Sequence, residues 1–321
     1  MPVAASSASG LRTVPTHPLR SARTGYVMVV TAALLWAVNG TVSKVMLLGG
    51  MPAAELAELR ATGAFACLLV IVLCSAPRAL RMSRRELPAV AVYGVVGFVA
   101  VQLLYFVAIK RLEVGVALLI EFTAPVFVAL WARFVMHESV RRRVWAALAL
   151  SVGGLALVAQ VWQGGTLDGI GVLAAFGAAV SLAVYFLLGE HNVGSRDPVS
   201  LTCLAFGFTT LFWAVARPWW RFPWDLLGRQ VPLLGHLDQH RLPMWVLGAW
   251  LVVLGTVVPF TLSVGALRHL RAAQVGLVGM VEPVAASVVA FAWLGEQLGL
   301  VQIAGGAVVL VGLVLAETSR R

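Results

Sequence analysis

The chain has 321 residues, 60% of them hydrophobic and 12% charged, with a mean hydropathy of +0.91. So few charges exclude a soluble globular domain, which would expose apolar surface everywhere and aggregate. The net charge of +10 does not indicate a nucleic-acid partner, because the basic residues lie in short loops between apolar runs and not on one soluble face.

Residues 1–24 hold Ser, Pro and Thr with Arg12, Arg20 and Arg23. They read as a disordered cytoplasmic tail, and the apolar run behind them is too long for a signal peptide. Ten runs long enough to cross a bilayer follow, at about 25–47, 54–76, 88–109, 114–135, 143–161, 169–189, 198–216, 243–267, 272–294 and 297–316. Residues 317–321 form a second cytoplasmic tail. Cys67, Cys74 and Cys203 all fall inside apolar runs and make no disulfide or metal framework. His236, Asp238 and His240 have a ligand-like spacing, but they sit in the long 217–242 loop without a fourth ligand. No cofactor motif and no Walker-type phosphate loop is present.

Lys and Arg favour cytoplasmic loops. With the N-terminus inside, the inner segments carry fifteen of them and the outer loops six. Both termini are therefore expected in the cytoplasm of a multi-pass cell-membrane protein.

Two stretches repeat at an offset of 158. Ala108–Leu157 and Ala266–Leu315 agree without gaps at twelve positions, where so apolar a composition gives roughly five by chance. The matches include Leu112/Leu270, Pro125/Pro283, Glu138/Glu296 and Gly154/Gly312. Gly25 with Trp36-Ala37-Val38 aligns with Gly171 and Leu182-Ala183-Val184 at an offset of 146. Five spans per copy is an odd number, so the copies enter the membrane from opposite sides. The expected fold is an all-α polytopic membrane protein, with two inverted five-helix repeats, residues 25–161 and 162–316, around a central cavity. Dense glycines in the spans suit close helix packing.

Leu35-Trp36-Ala37-Val38-Asn39, Arg60, the Pro125…Glu138 and Pro283…Glu296 pairs and the closing glycines carry a resemblance to the drug/metabolite transporter superfamily. The chain resembles its EamA-type ten-helix carriers over about residues 25–316. Glu121-Phe-Thr-Ala-Pro125 resembles further the threonine/homoserine exporter branch. The resemblance implies a basket of ten helices that exports amino acids or other small metabolites. The copies depart from each other at one point: Gly279 stands where Glu121 would align, and the second glutamate is Glu282.

A carboxylate in a bilayer core marks a functional site by default. Glu121 and Glu282 both fall in the central third of their spans, as candidates for proton coupling or for pairing with a substrate amine. Pro125 and Pro283 each interrupt a helix ladder, as a gating or binding kink. Trp36, Asn39 and Ser43 share one face of the first helix, Gln102 and Tyr105 one of the third, and Ser181 and Tyr185 one of the sixth, where they would line a cavity. Lys44 and Arg60 read as outer-end residues that snorkel, or that pair with Glu55 or Glu58 in an outer gate. Glu138 and Glu296 read as the structural pair. The expected partners are a small-molecule substrate and the lipid bilayer, with a homodimer left open. A lipid or drug flippase of the same fold and an intramembrane enzyme on lipid-linked substrates are the rival readings.

Overall fold

In hydrocarbon a spanning segment has to satisfy its backbone groups internally, and an α-helix does so residue by residue. The computed structural model of the chain is mainly helical. It describes residues 22–135, scattered positions between 143 and 157, and residues 168–193, 197–266, 269–270, 278–279, 281–297 and 299–318. Residues 1–21, most of the expected fifth span, and the segment bearing His137 and Glu138 lie outside the described residues.

The first part of the chain holds α1 (Ala22–Leu48) and α2 (Ala53–Ser75), then α3 (Leu87–Gly94) and α4 (Val101–Arg111). A π-helical segment, Val95–Ala100, joins α3 and α4 into one rod. Next come α5 (Val114–Glu121) and α6 (Ala124–Phe134). The second part holds α7 (Gly169–Val193) and α8 (Pro198–Ala216), then the short α9 (Trp224–Gly228) and a two-stranded hairpin. The hairpin strands are β1 (Gln230–Pro232) and β2 (Arg241–Pro243), antiparallel with Val231 opposite Leu242. A second rod follows: α10 (Met244–Val252), a π segment at Val253–Val257, and α11 (Val258–Ala266). The described chain closes with α12 (Val281–Leu294) and α13 (Leu300–Thr318). Among the described residues, α1, α2, the α3–α4 rod, α8 and the α10–α11 rod are long and apolar enough to cross a membrane.

Local chemistry sets several helix ends. Asp168 precedes α7 and accepts a bond from Gly171 N at 2.7 Å. Asp197 caps α8, accepting from Ser200 N at 3.1 Å, with Pro198 in the first turn. At the far end of α12, Gly295 takes a φ of +73°, which favours glycine and turns the chain off the helix.

The fourth span differs from the expected kinked helix. It stops at Glu121 and restarts at Ala124, so Pro125 lies in the first turn of a new helix, where its missing N–H costs nothing. The break is internally bonded: Phe122 N donates to Leu118 O and Thr123 N to Ile120 O.

The two π segments also align. Val95 and Val253 are 158 residues apart. A π turn leaves a carbonyl without its usual donor. In the first rod Thr209 of α8 donates to Gly94 O at 2.8 Å; in the second, Thr256 donates to Leu251 O at 2.8 Å.

Packing between the two parts is reciprocal. Helix α1 packs on α11 and α12, while α7 packs on α4, α5 and α6. Gly25 lets Leu270 Cγ come within 2.6 Å of where a Cβ would stand, and its aligned partner Gly171 admits Leu112 Cγ to 2.8 Å. Leu112 and Leu270 are themselves aligned. The pattern recurs deeper in the bundle. Gly255 of the second π segment meets Asn39 of α1, and Gly97 of the first meets Tyr185 of α7. Gly97 aligns with Gly255, and Asn39 with Tyr185.

Candidate functional site

The second contact layer is also where the buried polar groups collect. Asn39, Arg60, Gln102 and Glu121 are each less than a tenth exposed, and Thr256 is fully buried. They arrive on α1, α2, α4, α5 and the second π segment. Arg60 Nε donates to Thr256 Oγ1 at 2.9 Å. Its guanidinium carbon stands 5.9 Å from the centre of the Phe106 ring. Arg60 lies in the field of Tyr105, Glu282 and Glu121, and Glu282 feels both Glu121 and Arg60. Tyr105 Oη lies 2.8 Å from where a Cβ on Gly40 would stand, next to Asn39.

Glu121 and Glu282 belong to crossing elements. Helices α5 and α12 pack together, with Gly115 against Ser287. Glu121 is the last residue of α5, where Pro125 cannot donate to the Glu121 carbonyl. Glu282 lies in α12 and is partly buried, followed by the buried Pro283. Neither carboxylate is in ion-pair contact with Arg60 among the described residues. Two acceptors, Asn39 Oδ1 and Gln102 Oε1, are buried without a hydrogen-bond partner.

One turn away the lining becomes aromatic. Trp36 meets Phe260 edge-on at 5.3 Å. Phe260, Phe98 and Phe206 contact one another, and Tyr185 stacks on Tyr93 at 5.1 Å beside Phe98. The repeat alignment relates the two chemistries. Asn39 aligns with Tyr185, Gln102 with Phe260, and Thr256 with Phe98. Each of these three polar groups therefore has an aromatic counterpart, whereas Glu121 aligns with Gly279.

Of the sequence candidates, Tyr105, Glu121 and Glu282 lie in the electrostatic field of Arg60, Asn39 packs on Gly255 beside Thr256, Gln102 is buried on α4, and Trp36 and Tyr185 join the aromatic wall. Ser43 and Ser181 instead donate to their own helices, at Asn39 O (2.7 Å) and Gly177 O (2.8 Å). Arg60 is the main residue misjudged from sequence. It neither snorkels nor pairs with Glu55 or Glu58; Glu55 pairs with Arg217 at 2.8 Å. The available signal was charge balance, because Lys44, Arg60 and Arg133 are the only basic residues within the spans apart from Arg143 at the very start of the fifth.

Lys44 does not snorkel either. It forms an ion pair with Glu296 and donates to Leu112 O at 2.7 Å. Glu296 also accepts from Val114 N at 3.0 Å. This cluster ties the end of α12 to the end of α1 and to the α4–α5 link. Burial, reinforced by the charge of Glu296 and opposed by Lys44, pushes the neighbouring Glu113 carboxyl up. The Gly171 amide, helped by Arg111, holds Asp168 below the usual carboxylate range.

The long loop clasps the same end of α12. Trp293 Nε1 donates to Leu233 O at 2.8 Å, and His236 Nδ1 lies 3.0 Å from Ala292 O. An open groove lined by Val95, Phe208, Leu211, Phe212, Val215 and Ala216 is wholly apolar and holds none of these groups.

A model of the EamA-like transporter family matches residues 23–160 and again residues 169–318. An uncharacterized transporter of Archaeoglobus fulgidus is 27% identical over 212 residues, 66% of this chain and 70% of that protein. The uncharacterized transporter YwfM of Bacillus subtilis is 23% identical and covers 92% of this chain and 94% of its own. The threonine/homoserine exporter RhtA of Escherichia coli K12 is 26% identical over 261 residues, 79% of each chain. A solved crystal structure superposes with a TM-score of 0.61 at 20% identity, over 92% of this chain and 97% of that one, and so shares the fold.

Proposed function

Because the chain belongs to the EamA-like transporter family, we propose that it is a secondary carrier that exports amino acids or related small metabolites by alternating access. It works in the cytoplasmic membrane with both termini inside. Ten helices form two five-helix halves, residues 25–161 and 162–316. The reciprocal contacts Gly25–Leu270 and Gly171–Leu112 support a two-fold relation between them. The odd number of spans per half makes that relation an inversion.

One observation carries the reading. Glu121 from one half and Glu282 from the other, on helices that pack together, both lie in the electrostatic field of the one buried Arg60. Charges at such depth are costly and face a bundle interior or a wet cavity. Two carboxylates and one guanidinium leave one negative charge unbalanced. A proton on one carboxylate balances it, and a substrate ammonium seated on that same carboxylate takes the proton's place. Their competition couples outward transport of substrate to inward movement of a proton. The amino-acid cargo is supported by the likeness to the threonine/homoserine exporter.

Counterflow in proteoliposomes tests this. Vesicles loaded with unlabelled threonine or homoserine should accumulate the labelled compound, and an imposed proton gradient should change the rate. Transport of lipophilic cations with no amino-acid counterflow would refute the reading.

A further inference from the structure

Resting on the buried polar layer as the transport site, we propose that Arg60 binds the carboxylate of a zwitterionic substrate whose ammonium group lies toward Glu121 and Glu282. The guanidinium is held for this task. Its Nε is committed to Thr256 Oγ1, and Thr256 is itself anchored on Leu251 O in the π segment. The Phe106 ring lies 5.9 Å from its carbon. These contacts fix the plane of the fork and direct its two remaining nitrogens to a planar, two-oxygen partner, the geometry in which arginine binds carboxylates best.

The opposite charges do not close on each other. Arg60 feels Glu121 and Glu282 without ion-pair contact among the described residues. Buried charges of opposite sign held apart are costly until something bridges them. A zwitterion does so with one charge at each end and adds no net charge. Asn39 Oδ1 and Gln102 Oε1, buried acceptors without partners, then receive N–H or O–H groups of the substrate. The second half offers no alternative anchor, since α8 contains no Lys or Arg.

The test uses the full-length protein in proteoliposomes, with counterflow of labelled threonine and three unlabelled competitors. Threonine keeps both charges. Threonine methyl ester keeps the ammonium and loses the carboxylate. N-acetylthreonine keeps the carboxylate and loses the ammonium. In the wild type each analogue should compete about 10- to 100-fold less well than threonine, the range for losing one charge-assisted pair. In Arg60→Gln the ester and threonine should compete equally, while N-acetylthreonine stays weak. Undiminished discrimination against the ester in Arg60→Gln would overturn the assignment. If Arg60→Gln does not fold, Arg60→Lys keeps the charge but not the fork, and should narrow the ester ratio at least severalfold; an unchanged ratio overturns the assignment. A wild type that accepts the ester as readily as threonine overturns it directly. A wild type that moves no amino acid but moves lipophilic cations overturns the transport-site reading and this assignment together.

Discussion

Replacing Glu296 with glutamine should loosen the contact between the end of α12 and the end of α1. Glu296 accepts from Lys44 and, at 3.0 Å, from Val114 N. The Lys44 and Glu296 side chains are only 12% and 13% exposed, so water screens the pair weakly. A charge-assisted hydrogen bond contributes about 1.5–3 kcal/mol net and a neutral one about 0.5–1.5 kcal/mol. Glu296 uses both oxygens as acceptors, whereas glutamine has one, so it keeps one bond in neutral form at a loss of about 1 kcal/mol and loses the other, worth about 2 kcal/mol, for about 3 kcal/mol in all. At 1.4 kcal/mol per factor of ten, the closed state should lose about 100-fold in population relative to the open one. The readout is a single cysteine at position 41, where Thr41 is fully buried in α1 between Asn39 and Lys44, in a background without the native cysteines. A membrane-impermeant maleimide added on the side of the 217–242 loop should label Thr41→Cys at least tenfold faster when Glu296→Gln is present. Lys44→Met should have a similar effect and add little to Glu296→Gln, because both remove one interaction. Labelling rates within about twofold of the parent, or fully additive effects, would refute the latch.

Glu121→Gln should preserve folding and flatten the dependence of transport rate on pH across roughly pH 5 to 8; an unchanged pH profile in proteoliposomes would remove the carboxylate from coupling. Gly255→Ala should destabilise by about 1–3 kcal/mol, since its Cβ would overlap Asn39. Gly97→Ala should cost less, because Tyr185 Cδ2 stands 3.1 Å away; equal melting temperatures for the two variants would contradict this ranking. Glu113 has its carboxyl pushed up by burial, so folding disfavours its charged form and stability falls as pH rises through its folded-state pKa. Glu113→Gln should therefore raise Tm at neutral pH and have little effect below about pH 4, where the unfolded carboxyl is also protonated; thermal melts at the two pH values decide it.

Much of the helix layout was legible because apolar length is a strong signal. The expected 25–47 and 54–76 spans correspond to Ala22–Leu48 and Ala53–Ser75. The polar layer was only half legible. Glu121, Glu282, Asn39, Gln102 and Tyr105 stand out as polar residues in apolar runs, and all but Glu282 are less than a tenth exposed. Arg60 was misplaced because it lies seven residues into α2, a depth from which a long side chain reaches either the surface or the interior. Packing decides between the two, and Thr256 and Phe106 come from distant parts of the chain. The π segments leave no mark in hydrophobic periodicity, since one residue added to a turn hardly shifts an all-apolar pattern. The break at Phe122–Thr123 escaped for a related reason: a proline reports that a ladder is interrupted, not whether the helix bends or restarts.

The hairpin loop gives the carrier a handle. Leu233 and His236 grip the last turn of α12 through Trp293 and Ala292, so the loop moves with the helix that carries Glu282 at its other end. The 217–242 loop is longer than the corresponding 77–87 connection in the first half of the chain. A nanobody bound to it would meet a single site and hold one arm of the mechanism. Such a reagent would arrest transport without competing with substrate, as a brake rather than a plug.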